Sequence, residues 1–149
     1  MGSHYPGTEC EVRALNTYIK LLRAAESLNA RMSQKVAAHH LTLSQFGVLE
    51  SLCHLGPLPQ CKLGEKLLKS SGNITMVVDN LEKLGLVERR RDSGDRRVVT
   101  VYLTAEGRAL IERIFPEHVA VIVEEMGVLD GREQEQLGQL CRKVGLKSG

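Results

Sequence analysis

The fold is decided by residues 70–104, which read SSGNITMVVDNLEKLGLVERRRDSGDRRVVTVYLT. Apolar residues in the first half of this stretch recur at helical spacing from Ile74 to Leu84, which predicts an amphipathic helix over about 73–84. Gly85 follows it, at a position where glycine commonly ends a helix. The opposite face of this helix is polar and is available to a partner.

The second half of the stretch has a period of two instead. Residues 86–90 predict a short strand, and the alternation of Val99, Val101 and Leu103 with polar or aromatic residues predicts a return strand, with a turn over 92–95 between them. The result is a β-hairpin that is rich in arginine towards its tip. The arginines placed there are Arg89, Arg90, Arg91, Arg96 and Arg97.

Two helices are predicted near the start of the chain. The first covers residues 9–38, where apolar residues recur at helical spacing and neither glycine nor proline intervenes. The second begins at a capping box formed by Thr42 and Gln45 and ends at the pair Gly56 and Pro57, which breaks helices.

A shorter helix is predicted over about 59–68, with Pro59 in its first turn. A turn at residues 70–72 joins it to the amphipathic helix, and two short helices joined in this way are typical of a helix-turn-helix. Since the hairpin follows directly, residues 42–104 predict a winged helix. The residues of the shorter helix that are expected to face the core are Leu63, Leu67 and Leu68.

Two more helices are predicted after the hairpin. Thr104 caps the first, over about 105–127, and Pro116 is expected to kink it because proline cannot donate the i−4 hydrogen bond. Asp130 and Glu133 form a capping box for the last helix. The predicted fold class is therefore mainly α with a small β-hairpin wing, in one domain over residues 1–149.

The first and last helices carry apolar stripes that a winged helix of about 65 residues cannot cover, and an exposed apolar patch usually marks an interface. We therefore expect residues 9–38 and 105–147 to form a homodimer, with two recognition helices spaced for successive major grooves about 34 Å apart. Folding of these helices back onto their own domain is the alternative. The predicted dimerisation residues are Val12, Leu15, Ile19, Leu137, Leu140, Cys141 and Val144.

The composition is that of an ordinary folded domain, with 42% hydrophobic and 26% charged residues in 149. Residues 57–104 hold nine basic and six acidic side chains, whereas residues 105–149 hold six and eight. A basic centre favours an acidic partner.

No apolar run is long enough to cross a bilayer. Residues 1–10 lack the apolar core of a secretory signal, so we expect a cytoplasmic protein without a membrane partner.

The helix-turn-helix and the basic hairpin together suit duplex DNA. A helix of this kind fits the major groove, where asparagine pairs with adenine and the methyl groups of threonine and methionine meet that of thymine. The arginines of the hairpin are expected over the adjacent minor groove, with Asp95 orienting Arg97. Each element alone is more often a solvated surface, but their order predicts DNA binding. The predicted DNA contacts are Ser71, Asn73, Thr75, Met76, Asn80, Lys83, Arg91, Asp95, Arg96 and Arg97.

From about residue 42 to 107 the sequence resembles the MarR family of winged-helix regulators. The most specific part of the resemblance is an Asp-x-Arg pattern that is followed by Leu-Thr-x-x-Gly. The segments that carry the resemblance are LSQFGVL at 43–49, GEKLL at 64–68, GNIT at 72–75, VDNLEKLGLV at 78–87, DRR at 95–97 and LTAEG at 103–107.

This resemblance implies a homodimer that binds a pseudo-palindromic operator, usually as a repressor of its own gene. It also implies that Arg97 enters the minor groove and that the recognition helix contacts DNA through Ser71, Asn73, Thr75 and Met76. Many members release DNA when a small phenolic compound binds between the dimerisation helices and the winged helix. The GNIT segment resembles the branch that contains quinone- and phenol-responsive repressors. The corresponding pocket residues, which are otherwise ordinary core residues, are Tyr18, Leu22, Phe46, Leu49 and Ile111.

Four cysteines are spread along the sequence without the spacing of a zinc site or a disulfide framework. Cys53 and Cys141 fall on apolar stripes. Cys61 starts a helix beside a lysine, which favours a reactive thiolate, and Cys10 lies roughly where the resemblance places the thiol of a peroxide-sensing branch, although two glutamates flank it. A thiol-based redox switch at Cys10 or Cys61 is therefore the alternative to ligand-controlled release, and inert thiols are the simplest interpretation.

The sequence carries no glycine-rich phosphate loop, no motif of paired carboxylates and no nucleophile with an evident base, so no catalytic residue is predicted. His39 and His40 are adjacent and point to different sides of a helix, so they cannot chelate one ion together. We therefore predict no enzyme, no metal and no cofactor. The predicted function is sequence-specific DNA binding in transcription regulation, with a small-molecule effector; a winged helix that binds only proteins is a remote alternative.

Overall fold

A computed structural model of the chain describes residues 2–147, which contain six helices and three short strands. This arrangement confirms the predicted fold class. Met1, Ser148 and Gly149, which the predicted domain includes, lie outside the described residues. The helices are α1 Glu9–Ala37, α2 Leu43–Leu55, α3 Gln60–Lys66, α4 Ser71–Lys83, α5 Ala105–Met126 and α6 Gly131–Leu146, and the strands are β1 Leu58–Pro59, β2 Val87–Arg91 and β3 Val99–Leu103.

The helix starts are fixed by the capping residues that the sequence predicts. The Thr42 side chain accepts a hydrogen bond from the Gln45 backbone N–H at 3.1 Å, and the Gln45 side chain accepts one from the Thr42 N–H at 2.9 Å. Asp130 and Glu133 make the same reciprocal pair at the start of α6. Each box satisfies two N–H groups that the first turn of a helix leaves without a partner.

Helix α4 begins two residues earlier than predicted. Its N-cap is Ser70, whose hydroxyl oxygen accepts a hydrogen bond from the Asn73 backbone N–H at 3.2 Å. Ser71 and Gly72 therefore belong to the helix, and the connection from α3 covers residues 67–70. At the other end Gly85 has a φ of 75° and follows the C-cap residue, as the sequence predicts.

The three strands form an antiparallel sheet with β3 in the middle. Strands β2 and β3 make the predicted hairpin, with Val87 opposite Leu103. Strand β1 was missed by the sequence analysis because its two residues are too few to show a period of two. It places Leu58 opposite Val101 and leads directly into α3, so the sheet fixes where α3 begins.

The core of the winged helix lies between α2, α3, α4, the sheet and the first half of α5. Its fully buried side chains include Leu49, Leu63, Leu81, Val101 and Ile111. Because each of these elements contributes one apolar face to the same cluster, the opposite face of α4 remains at the surface. This is the face that the sequence assigns to DNA.

One core prediction is wrong. Helix α3 ends at Lys66, and Leu68 then adopts a positive φ of 55°, which leaves this residue 91% exposed. Leu63 is buried and Leu67 is half-buried, as expected. The helical period that places Leu68 inward does not extend past the end of α3.

The chain divides into two compact units, of which the first ends at Phe115 and the second begins at Pro116. Pro116 lies inside α5, and the predicted kink there stays a prediction. In the second unit no described residue of α6 is buried, and Leu140 and Val144 are both 61% exposed. No helix within residues 2–147 is both long and apolar enough to span a membrane.

Thr104 and Gly107 attach α5 to the turn that follows α4. The Thr104 hydroxyl donates to the Gly85 carbonyl at 2.7 Å and accepts from the Gly107 N–H at 3.0 Å, which confirms the predicted cap. A Cβ on Gly107 would lie 2.0 Å from the Leu86 carbonyl oxygen. The Leu-Thr-x-x-Gly pattern is therefore structural, since its hydroxyl caps the helix and its glycine permits close backbone approach.

We expect Gly107→Ala to lower the free energy of unfolding by about 2 kcal/mol, because the added Cβ would overlap the backbone at Leu86. Gly72→Ala is the matched control, since a Cβ there meets no atom within 4 Å. The control is expected to be neutral or to stabilise the protein by up to about 1 kcal/mol. Urea unfolding followed by circular dichroism measures both variants, and equal midpoints would contradict the close approach.

Candidate nucleic-acid interface

Helix α4 buries one face in the core and exposes the other. Its buried side chains are Ile74, Val77, Val78 and Leu81. The exposed face carries amides, hydroxyls, a thioether that is 62% exposed at Met76, and an ammonium group. All six α4 residues predicted to contact DNA are exposed: Ser71, Asn73, Thr75, Met76, Asn80 and Lys83.

Two aspartates fold the tip of the hairpin. The Asp92 carboxylate accepts a hydrogen bond from the Gly94 N–H at 2.7 Å. The Asp95 carboxylate accepts from the Arg97 backbone N–H at 3.0 Å and from the Arg97 guanidinium at 3.1 and 3.2 Å. This confirms that Asp95 orients Arg97, whose side chain is 91% exposed and is held ready for a partner.

The hydrogen bonds from the Arg97 side chain and backbone hold the pKa of Asp95 below its ordinary value of 3.8. Because the pKa of Asp95 is lower in the folded protein than in the unfolded chain, the ion pair stabilises the folded hairpin at any pH above the ordinary pKa. This stabilisation is lost only when the pH falls through the lower pKa of the folded state. The Asp95–Arg97 pair is therefore intact at neutral pH.

The other tip arginines have separate environments. Arg91 donates to the Arg96 carbonyl at 2.8 Å and so closes the hairpin below its tip, while the Arg96 side chain is exposed. Arg90 is hydrogen-bonded to Glu88 and lies over the Tyr102 ring, 4.2 Å from its centroid. Arg96 and Arg97 are thus the tip residues most available to DNA.

Arg89 does not belong to the tip, contrary to the sequence prediction. Its side chain is only 21% exposed and its Nη1 lies 2.7 Å from an Asp79 carboxylate oxygen and 3.2 Å from a Glu82 oxygen. Its Nη2 donates to the Thr75 carbonyl at 3.0 Å, and its Nε donates to Gln60 Oε1 at 2.9 Å. One guanidinium therefore ties β2 to α4 and to the first residue of α3.

This network also changes the charge of α4. Asp79 and Glu82 would repel phosphate groups, but Arg89 pairs with both of them. The sequence itself contains a pattern that indicates this arrangement. Two acids three residues apart on the helix, followed seven residues after Glu82 by an arginine on the adjoining strand, favour an internal ion-pair cluster.

A cleft of about 470 Å³ opens between the α3–α4 turn and the hairpin. Ser71 and Thr75 line it from α4, Arg97 lines it from the hairpin, and Lys69 and Cys61 line it from the α3 side. The structure thus brings together predicted DNA contacts that are 26 positions apart in the chain, from Ser71 to Arg97. Sequence reasoning missed Lys69 and Gln60, which lie at this cleft. We call the exposed face of α4 together with Arg96 and Arg97 the α4–wing surface.

The residues predicted to bind an effector do not all lie together. Phe46, Leu49 and Ile111 are buried members of the core cluster, whereas Tyr18 and Leu22 are exposed on α1. The predicted pocket stays a prediction.

The predicted dimerisation residues divide in the same way. Those on α1 are half-buried, whereas those on α6 are exposed. The half-buried residues are Val12, Leu15 and Ile19, and the exposed ones are Leu137, Leu140, Cys141 and Val144.

The cysteines are all free thiols. Cys10, Cys61 and Cys141 are exposed, and Cys53 packs against the core. Within residues 2–147 no group of three or more histidine, cysteine, aspartate or glutamate side chains is arranged to hold a metal ion.

The model of the MarR family matches residues 41–99, from the end of the α1–α2 loop to the start of β3. The HTH-type transcriptional regulator MhqR of Bacillus subtilis is 39% identical over 136 residues, which cover 91% of this chain and 94% of that protein.

Two similar solved structures concern regulation by a ligand and binding to DNA. BpsR of Bordetella bronchiseptica, whose DNA binding is regulated by 6-hydroxynicotinic acid, is 28% identical with a TM-score of 0.79, covering 87% of this chain and 98% of that chain. A mutant MarR from E. coli, solved in complex with operator DNA, is 25% identical with a TM-score of 0.75, covering 90% and 95%.

We expect Arg89→Met to lower the free energy of unfolding by about 2 kcal/mol, because it leaves the two carboxylates on α4 without their partner. Arg90→Met is the matched control on the next residue of the strand. Since the Arg90 side chain is exposed, its loss is expected to leave the free energy of unfolding nearly unchanged. Urea unfolding compares the two variants, and a smaller effect at Arg89 than at Arg90 would contradict its assigned role.

Proposed function

Since the chain belongs to the MarR family of DNA-binding transcriptional regulators, we propose that it acts as a homodimeric repressor, released from a pseudo-palindromic operator by a small phenolic or quinone-like ligand. Members of this family are regulators and not enzymes. The observation that carries the proposal is the shared cleft at which α4 and Arg97 meet. A repressor of this kind acts on the chromosome, so the proposal also places the protein in the cytoplasm.

The α4–wing surface suits both grooves of one duplex. The exposed amides of Asn73 and Asn80 can each pair with an adenine in the major groove. Arg97, already oriented by Asp95, extends towards the neighbouring minor groove, whose negative potential favours arginine. Lys69, at the cleft, is available to phosphate groups.

The homodimer is supported by the second unit. Helix α6 is amphipathic, but no described residue of it is buried, and an exposed apolar face of this kind usually marks an interface. The face is formed by Leu137, Leu140 and Val144. A second copy of this chain is the partner that we propose, because a pseudo-palindromic operator requires two recognition helices related by two-fold symmetry.

Ligand control is supported by the likeness to BpsR, whose DNA binding a hydroxylated aromatic acid regulates. In this chain the exposed Tyr18 and Leu22 lie four residues apart on α1, where an aromatic compound would cover both.

A thiol switch is the second candidate for the control of DNA binding, and one observation favours it. Cys61 is exposed and lines the cleft beside Arg97, so an adduct on its sulfur would stand where DNA is proposed to bind.

We expect Arg97→Ala to weaken binding to the operator by about 1–3 kcal/mol, because the variant loses its contact in the minor groove. The probe is the duplex upstream of the protein's own reading frame or, if that duplex is not bound, a duplex selected from a random pool. Fluorescence anisotropy at two salt concentrations measures the affinity. Arg113→Ala, which removes an exposed arginine from α5, is the matched control and is expected to bind like the wild type. Equal affinities of the two variants would contradict the assigned role of Arg97.

We expect 6-hydroxynicotinic acid, catechol or hydroquinone to release the operator in the presence of dithiothreitol. Release is expected to persist in a variant that combines Cys10→Ser with Cys61→Ser, because binding of the ligand requires no thiol. Anisotropy of the labelled duplex follows the release. If release occurs only without dithiothreitol and is lost in the double variant, the thiol switch replaces ligand control.

A further inference from the structure

A directed chain of hydrogen bonds crosses from the hairpin to the DNA-facing helix. Arg89 Nε donates to Gln60 Oε1 at 2.9 Å, and Gln60 Nε2 donates to the Thr75 hydroxyl oxygen at 2.9 Å. The Thr75 hydroxyl in turn donates to the Ser71 carbonyl at 2.7 Å. This series of hydrogen bonds ends on the exposed face of α4, which is the face proposed to bind DNA.

The direction of this chain follows from the chemistry of its groups. A guanidinium can only donate, so the amide oxygen of Gln60 must face Arg89 and its amide nitrogen must face Thr75. The Thr75 hydroxyl has a single proton, which it gives to the Ser71 carbonyl. The hydroxyl is therefore held from two sides and has no proton left for a DNA base. Its second lone pair can still accept a hydrogen bond, whereas the methyl group is the part of Thr75 that can contact an apolar group of the DNA.

We propose that Gln60 is a positioning residue for sequence recognition, which holds Thr75 in one rotamer so that the Thr75 methyl group contacts the 5-methyl group of a thymine. A threonine inside a helix otherwise divides between two rotamers, in both of which its hydroxyl reaches a backbone carbonyl of the preceding turn. The hydrogen bond from Gln60 selects one of them. This inference rests on the proposed binding of α4 in the major groove.

The place of Gln60 is itself fixed by the sheet. Gln60 follows β1 directly, and the pairing of Pro59 with Thr100 holds β1 against the middle strand. On the other side Arg89 is held by its ion pairs with Asp79 and Glu82. The amide is therefore supported by two strands of the same sheet, and little rotamer freedom remains to be lost when DNA binds.

The test uses the duplex that the wild-type protein selects from a random pool, with each thymine replaced in turn by deoxyuridine, which removes only the 5-methyl group. For the wild type we expect about a three- to fivefold loss of affinity at one symmetry-related pair of positions, the value of one buried methyl group. Thr75→Val has a methyl group at both γ positions and one strongly preferred rotamer in a helix, so it needs no hydrogen bond from Gln60 to place a methyl group and is expected to keep this sensitivity. Thr75→Ser keeps the hydroxyl, loses the methyl group and is expected to abolish it.

Gln60→Met is similar in length to glutamine but cannot donate to Thr75, and we expect it to reduce the thymine-to-deoxyuridine ratio at the same positions. Gln60→Asn, which is too short to reach Thr75, is a second variant with the same expected result. Gln34→Met, on α1, is the matched control and is expected to leave the ratio unchanged. The ratio compares two duplexes on one protein, so a general loss of stability does not alter it.

The outcomes separate this inference from the proposed function. If the wild type selects a duplex but the thymine-to-deoxyuridine ratio is the same in Thr75→Val and Thr75→Ser, the methyl contact is wrong and the repressor proposal stands. If the ratio depends on Thr75 but not on Gln60, the positioning role is wrong. If the wild type selects no duplex at all, both the inference and the proposed mode of DNA binding are overturned.

Discussion

The half-buried guanidinium of Arg89 is the interaction on which the α4–wing surface depends. It joins β2 to α4 through Asp79 and Glu82, and it reaches the first residue of α3 through Gln60. Since helix and hairpin are tied at this point, Arg97 at the far end of the hairpin shares a cleft with the start of α4. The same contacts pair the helix's acids, which would otherwise repel DNA.

The most specific motifs of the sequence serve two different purposes. The Asp-x-Arg pattern shapes the α4–wing surface, since Asp95 holds the exposed guanidinium of Arg97. The Leu-Thr-x-x-Gly pattern has a structural role, because Thr104 and Gly107 dock α5 on the turn after α4. The first pattern therefore orients an exposed arginine of the α4–wing surface, and the second forms the joint that attaches α5.

Local rules were enough to predict the helices and the hairpin, because capping boxes such as that of Thr42 and the change of period act within a few residues. They failed where tertiary structure decides. Strand β1 has two residues and exists only through pairing with β3, and the backbone turns at Leu68 after α3 ends. Arg89 was placed at the tip because a strand period cannot show which charges pair across elements.

Whether two α4–wing surfaces act together on one duplex is tested most directly by a hydroxyl-radical footprint on the duplex that the protein selects. If α6 joins two copies of the chain, two protected segments related by two-fold symmetry are expected, about 10 base pairs apart from centre to centre. A single protected segment, or uniform protection without regard to sequence, would contradict a dimer that reads a pseudo-palindromic operator.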